Sequence, residues 1–252
     1  MKDYLHIGRA SDLENPGSRR TYRALEILPG FLAWTTLFLV VILSATAPIF
    51  TSIFIIAFDV YWFTKTIYLS LHLRVSYNKL KQNLKVNWLE RLEKLPAAGY
   101  KLRTVKSWQD VYHFVFLPVY KEDYSVVSGC IEGLLKANYP KSKMAVILSW
   151  EERAGVETEN MVKEIEKNYQ NFFYEFTVIK HPAGLPGEMP GKGSNMAYAA
   201  GFAKENIINP RGIPYDHILV SNFDVDTIVS PEYFGILTHT FLTSDNPLRA
   251  SY

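Results

Sequence analysis

The chain has 252 residues, 48% of them hydrophobic and 21% charged, enough to bury one substantial core and long enough for two domains. A formal net charge of +2 does not suit nucleic acid as the partner. The single cysteine, Cys130, excludes an internal disulfide framework and a multi-cysteine metal site; in a helical stretch it reads as a small buried hydrophobe.

Residues 1–26 are polar and lack the layout of a cleaved secretory signal, so they read as a retained cytoplasmic segment. From Ile27 to Phe58 there is no Asp, Glu, Lys, Arg or His. This run is too long for one membrane helix and short for two, each needing about 20 residues. With a turn at Pro48, residues 27–73 read as a transmembrane hairpin, with spans near Leu28–Ala45 and Ile49–Leu71. A lone span followed by a buried helix is the rival reading. Arg19, Arg20 and Arg23 precede the block, Arg74, Lys79, Lys81 and Lys85 follow it, and the connection carries no positive charge. Both flanks are therefore expected on the cytoplasmic side of a cell membrane. Asp59 lies beside Tyr61, Trp62 and Lys65, and its charge is expected to reach water at the interface rather than to serve a function.

Residues 74–109 read as an amphipathic juxtamembrane helix over Ser76–Leu95, with Leu80, Leu84, Trp88, Leu92 and Leu95 on one face, then a linker from Pro96 to Gln109. Such a helix can lie on anionic headgroups or pack on the soluble domain.

Residues 110–252 then alternate strands and helices, the pattern of an open α/β sheet. Strands are expected at Val111–Val119, Met144–Leu148, Phe173–Ile179 and Ile218–Phe223, and helices at Ser125–Ala137, Thr158–Asn168 and Lys192–Lys204. A further helix opens at Ser230-Pro231. Ligands in such sheets bind at the carboxyl ends of the strands.

Three strand-end segments carry candidate chemistry. The first is Pro118-Val119-Tyr120-Lys121-Glu122-Asp123. The second is the glycine-rich run from Gly184 to Asn195, which includes Pro186 and Gly187 and ends in Gly191-Lys192-Gly193-Ser194-Asn195. It is not a Walker A loop, because Pro186 stands where the first glycine is required and Gly193 where Ser or Thr is required. No G-x-G-x-x-G follows the first strand, so a dinucleotide fingerprint is excluded too. Lys192 and Asn195 lie one turn apart on one helix face and read as a polar pair for a ligand. The third segment is Asp224-Val225-Asp226-Thr227. Residues i and i+2 of an extended chain point the same way, so both carboxylates can reach one hard cation or its water shell, and that cation can hold a phosphate.

Taken in order, strand-Pro-x-Tyr-x-Glu, Gly-Lys-x-x-Asn and strand-Asp-x-Asp-Thr resemble a family 2 glycosyltransferase of the inverting GT-A type, and the preceding spans are similar to those of its membrane-bound polysaccharide synthases. The resemblance covers roughly Tyr112 to Phe234. It implies a partial GT-A, Rossmann-like nucleotide-sugar-binding domain preceded by two transmembrane helices. Pro118, Tyr120 and Glu122 would line the nucleotide pocket, and Lys192 and Asn195 would belong to the donor-side loop. Asp224 would sit near the ribose and phosphate, and Asp226 would bind a divalent metal, Mn or Mg, bridging the diphosphate. The implied reaction transfers a sugar from a nucleotide-diphosphate donor to a lipid-linked or polysaccharide acceptor.

Two departures stand out. Where the family carries Asp-Asp after the second strand, this chain reads Ser149-Trp150-Glu151-Glu152; Glu151 is the candidate substitute, with Trp150 stacking or packing. The family's general base and Gln-x-x-Arg-Trp motif would fall after Asp226, where Glu232 and Asp245 are the only carboxylates and neither qualifies. The catalytic base is thus expected beyond Tyr252, in a longer enzyme. The alternatives are a non-catalytic, membrane-tethered nucleotide-sugar-binding module and a sugar-phosphate nucleotidyltransferase. The latter wants a glycine-rich basic loop after the first strand, which Pro118–Asp123 does not supply.

Overall fold

A computed structural model of the protein describes residues 9–185 and 188–251. The chain divides into two compact units, the main boundary falling between Lys81 and Gln82.

The first unit holds two long helices, α1 (Pro16–Thr46) and α2 (Pro48–Asn83), the last two residues of α2 belonging to the second unit. Asn15 caps α1 by accepting from the Gly17 and Ser18 amides. A single residue, Ala47, separates the two helices, and Pro48 opens α2 rather than forming the turn. The helices overrun the expected hairpin at both ends. The 31 residues of α1 extend about 46 Å, longer than the roughly 30 Å of a bilayer's hydrocarbon core. By length and composition both helices can cross a membrane. Many of their large apolar side chains, Phe31, Trp34, Phe38, Ile53 and Phe63 among them, are more than half exposed. Their hydroxyls fold back on the helix: Thr36, Thr46, Thr64, Thr66 and Ser70 each donate to the carbonyl four residues earlier, so an apolar surrounding leaves them satisfied.

The expected amphipathic helix over Ser76–Leu95 is broken. α2 ends at Asn83, a turn follows, and Asn87 caps a new helix, α3 (Trp88–Glu93), by accepting from the Glu90 amide. Asn is a strong N-cap and a weak mid-helix residue, so the helix restarts where it stands. The apolar face divides accordingly: Leu80 and Leu84 are exposed, whereas Trp88 and Leu92 are buried. The linker is likewise no loose tether, since Leu102, Val105 and Trp108 enter the core.

The second unit is a four-stranded parallel sheet in the order β3-β2-β1-β4, with β1 (Tyr112–Val119), β2 (Met144–Glu151), β3 (Glu175–His181) and β4 (Ile218–Asn222). Its helices are α4 (Tyr124–Lys136), α5 (Val156–Tyr169), α6 (Lys192–Ala203) and α7 (Tyr233–Thr243). Alternate strand residues feed two cores. Val115, Leu117, Val146 and Leu148 pack with Ile131 and Leu134 of α4, Val162 and Ile165 of α5, and Phe234 and Phe241 of α7. Phe114, Phe116, Ala145 and Ile147 pack on the other face with Ala199 and Ala203 of α6. β2 is buried along its whole length and runs three residues past the expected end, carrying Glu151 on the strand itself. The last helix starts at Tyr233 rather than at Ser230-Pro231.

Polar contacts also hold this unit together. His113 is fully buried; its Nε2 contacts the Thr238 hydroxyl at 2.8 Å, and burial lowers its pKa to about 3. Glu232 accepts from the Trp88 amide and from Asn138 Nδ2, both at 2.9 Å, tying α3 and the end of α4 to the start of α7.

Candidate functional site

β1, β2 and β3 step outward in one direction, and β4 returns to the other side of β1. This reversal leaves a crevice at the carboxyl ends of β1 and β4, the place where parallel sheets offer room for a ligand. A cavity of about 390 Å³ lies there.

All eight residues singled out from the sequence line it: Pro118, Tyr120 and Glu122 after β1, Glu151 at the end of β2, Lys192 and Asn195 from the first turn of α6, and Asp224 and Asp226 after β4. Gly184, at the start of the glycine-rich run, has φ 75°, which suits glycine. Pro186 and Gly187 lie outside the described residues.

Several of these side chains already have partners. The Glu122 carboxylate accepts the Tyr120 amide at 2.7 Å and so closes the turn leaving β1. Thr158 of α5 donates to the Tyr120 carbonyl at 3.1 Å, fixing the same turn from the other side. After β4, Val225 is buried while Asp224 and Asp226 are exposed, so one apolar anchor sets two carboxylates at the rim. A bond from the Thr227 amide to the Asp224 carbonyl, 2.9 Å, closes a turn over Val225 and Asp226, so the segment is not the extended one expected and the i, i+2 alignment of the two carboxylates does not apply.

Asn195 is held from below by β2. Its side chain is buried, with Nδ2 donating to the Ser149 carbonyl at 3.0 Å and Oδ1 accepting from the Ser149 hydroxyl. Its amide pins the start of α6 to the end of β2 at the cavity wall. Lys192, one turn earlier, is half exposed and its ammonium is paired with Asp224. Trp150 packs in the core, which settles it as a packing residue.

Arg153 escaped the sequence reading. Its guanidinium donates through Nε to Glu151 and lies 4.7 Å from the centroid of the Tyr120 ring, linking the ends of β1 and β2. The bond to Glu151 raises the arginine's pKa further. A cation two residues beyond an acid at a buried strand end was the available signal. Glu152, by contrast, faces away and accepts from Lys180 and from the Ala183 amide, at 3.1 and 3.0 Å; these contacts lower its pKa.

Beyond Asp226, Glu232 is engaged with Trp88 and Asn138, and Asp245 pairs with Lys101 at 3.0 Å. Neither lines the cavity. Cys130 is buried, and burial, with a smaller contribution from the Asp226 charge, pushes its thiol up to about 11.

The charges around the cavity do not balance. Glu122, Glu151, Asp224 and Asp226 contribute four formal negative charges and Arg153 and Lys192 two positive, leaving two negative in excess, the charge of one divalent cation. Among the described residues no group of three or more His, Cys, Asp or Glu gathers around one point. No protein-family model and no curated protein matches the chain.

Proposed function

We propose that this chain binds a nucleotide-diphosphate sugar and serves as the donor-binding part of a membrane-anchored, metal-dependent glycosyltransferase acting on a lipid-linked or polysaccharide acceptor. One observation carries this reading: the eight residues picked from four separate sequence segments line a single cavity at the reversal of a parallel sheet.

The residues divide the work. Pro118 and Tyr120 offer a flat, partly apolar wall for the base. Glu151 and Arg153 present an acceptor and donors beside it. Asp224 and Asp226 would hold the divalent cation, and Lys192 stands within reach to meet phosphate oxygens. A bound cation of this kind neutralises charge on the leaving diphosphate as the glycosidic bond breaks. The two apolar helices would anchor the domain, and the basic residues at both ends of the pair favour a cytoplasmic site at the cell membrane.

The test is calorimetric titration of the detergent-solubilised chain with UDP, GDP and dTDP, each with and without Mn, on the wild type and on Asp226→Asn. Saturable, Mn-dependent binding of one nucleotide that the variant loses supports the reading. Equal binding in the variant removes the metal site, and binding of none removes the nucleotide.

A second reading, a non-catalytic nucleotide-sugar-binding module, is favoured by the engagement of Glu232 and Asp245 away from the cavity, since inversion needs a base for the acceptor hydroxyl. Release of free sugar or transfer to added acceptor by donor-competent protein decides between the two.

A further inference from the structure

The Lys192–Asp224 pair occupies the rim at the point where the cation would sit. An ammonium on one of the two candidate metal ligands is an obstacle to a bare dication, because Asp224 is already neutralised and a second positive charge would approach the first. It is not an obstacle to a dication that arrives with a diphosphate. The incoming phosphate oxygens give the ammonium a replacement partner with more acceptors, and the carboxylate is released to the metal.

The pair is built to be exchanged. Lys192 and Asp224 side chains are 47% and 67% exposed, so solvent screens the contact and little is lost on breaking it. Lys192 opens α6, whose first turn is held rigidly to β2 by buried Asn195. The backbone of α6 therefore stays fixed while the four-carbon side chain swings. Among the described residues that line the cavity, the other cation is Arg153, which bonds Glu151 and lies over the Tyr120 ring, away from Asp224.

We propose that Lys192 is a resident counter-ion that makes cation binding conditional on the diphosphate. In the empty cavity it holds Asp224, and on loading it moves to the phosphate. This inference rests on the metal-dependent nucleotide reading above and adds to it an order of binding and a role for one residue.

The experiment compares MnCl2 alone with preformed Mn–pyrophosphate in calorimetric titrations of the full chain in detergent, using wild type, Lys192→Met and Lys192→Arg, with circular dichroism as the check on folding. Lys192→Met is expected to bind Mn alone about two- to fivefold more tightly than wild type, the range set by a solvent-screened surface pair. The same variant should bind Mn–pyrophosphate more weakly. Lys192→Arg, which keeps the charge, should restore the wild-type pattern. A role in folding alone would lower both affinities together and predicts no gain in any titration. Unchanged or weaker Mn binding in Lys192→Met, with wild type still binding Mn–pyrophosphate, overturns the counter-ion role and leaves the metal site standing. Absence of Mn binding in every protein, with and without pyrophosphate, overturns both.

Discussion

Replacing Asn195 with Ala separates a structural anchor from a ligand contact. The buried amide makes two hydrogen bonds to Ser149, one to its carbonyl and one from its hydroxyl, at the junction of α6 and β2. At about 1–1.5 kcal/mol for each bond, the substitution should destabilise the second unit by about 2–3 kcal/mol, because the Ser149 hydroxyl is left buried with no acceptor. For a domain of this size that lowers Tm by about 4–12 °C. The assay is thermal and urea unfolding of the detergent-solubilised chain followed by tryptophan fluorescence, for which buried Trp108 and Trp150 are internal probes. Ser149→Ala alone should cost less, since the carbonyl bond survives. The cycle of the two single variants and the double variant should show a coupling of at least about 0.5 kcal/mol, as contacting residues do. Stability of Asn195→Ala within about 0.5 kcal/mol of wild type, or strict additivity in the cycle, would refute the anchoring role and return Asn195 to the ligand.

Gly235→Ala should destabilise the contact of α3 with α7 by about 1–3 kcal/mol. Its new Cβ would meet Trp88 Cβ at 2.8 Å, and Trp88 is held by Glu232, by the Asn83 carbonyl and by the ring of His239; an unchanged Tm would contradict this. His113 should make stability pH-dependent. It is neutral when folded, with a pKa of about 3 against 6.5 unfolded, so the unfolded chain binds the extra proton between these values and stability falls as pH drops through that window. The interval amounts to at most about 5 kcal/mol by pH 3, and His113→Gln, though less stable throughout, should show a flatter urea midpoint against pH over the same range. Cys130 should resist iodoacetamide in the native protein at pH 8 and react once urea unfolds it, as its burial and raised pKa require; rapid native labelling, followed by mass spectrometry, would contradict the packing around it.

Much of the architecture was legible in the chain. The uncharged run from Ile27 to Phe58 points to apolar helices, and α1 and α2 cover it except at Ala47. Alternating short apolar runs and amphipathic segments likewise point to an open α/β sheet, and the structure shows one with four parallel strands. What the sequence left undecided turned on partners distant along the chain. The helical periodicity of Ser76–Leu95 gave no warning that Asn87 would restart the helix, because Trp88 is bonded to Glu232 and buried against α7. Helical spacing put Lys192 and Asn195 on one face, but only the tertiary structure sets Ser149 beneath one and Asp224 beside the other. The strand order that opens the crevice between β1 and β4 was also beyond the sequence, which determines what each segment prefers locally; which segments become neighbours is decided by how the apolar faces of the whole unit pack at once.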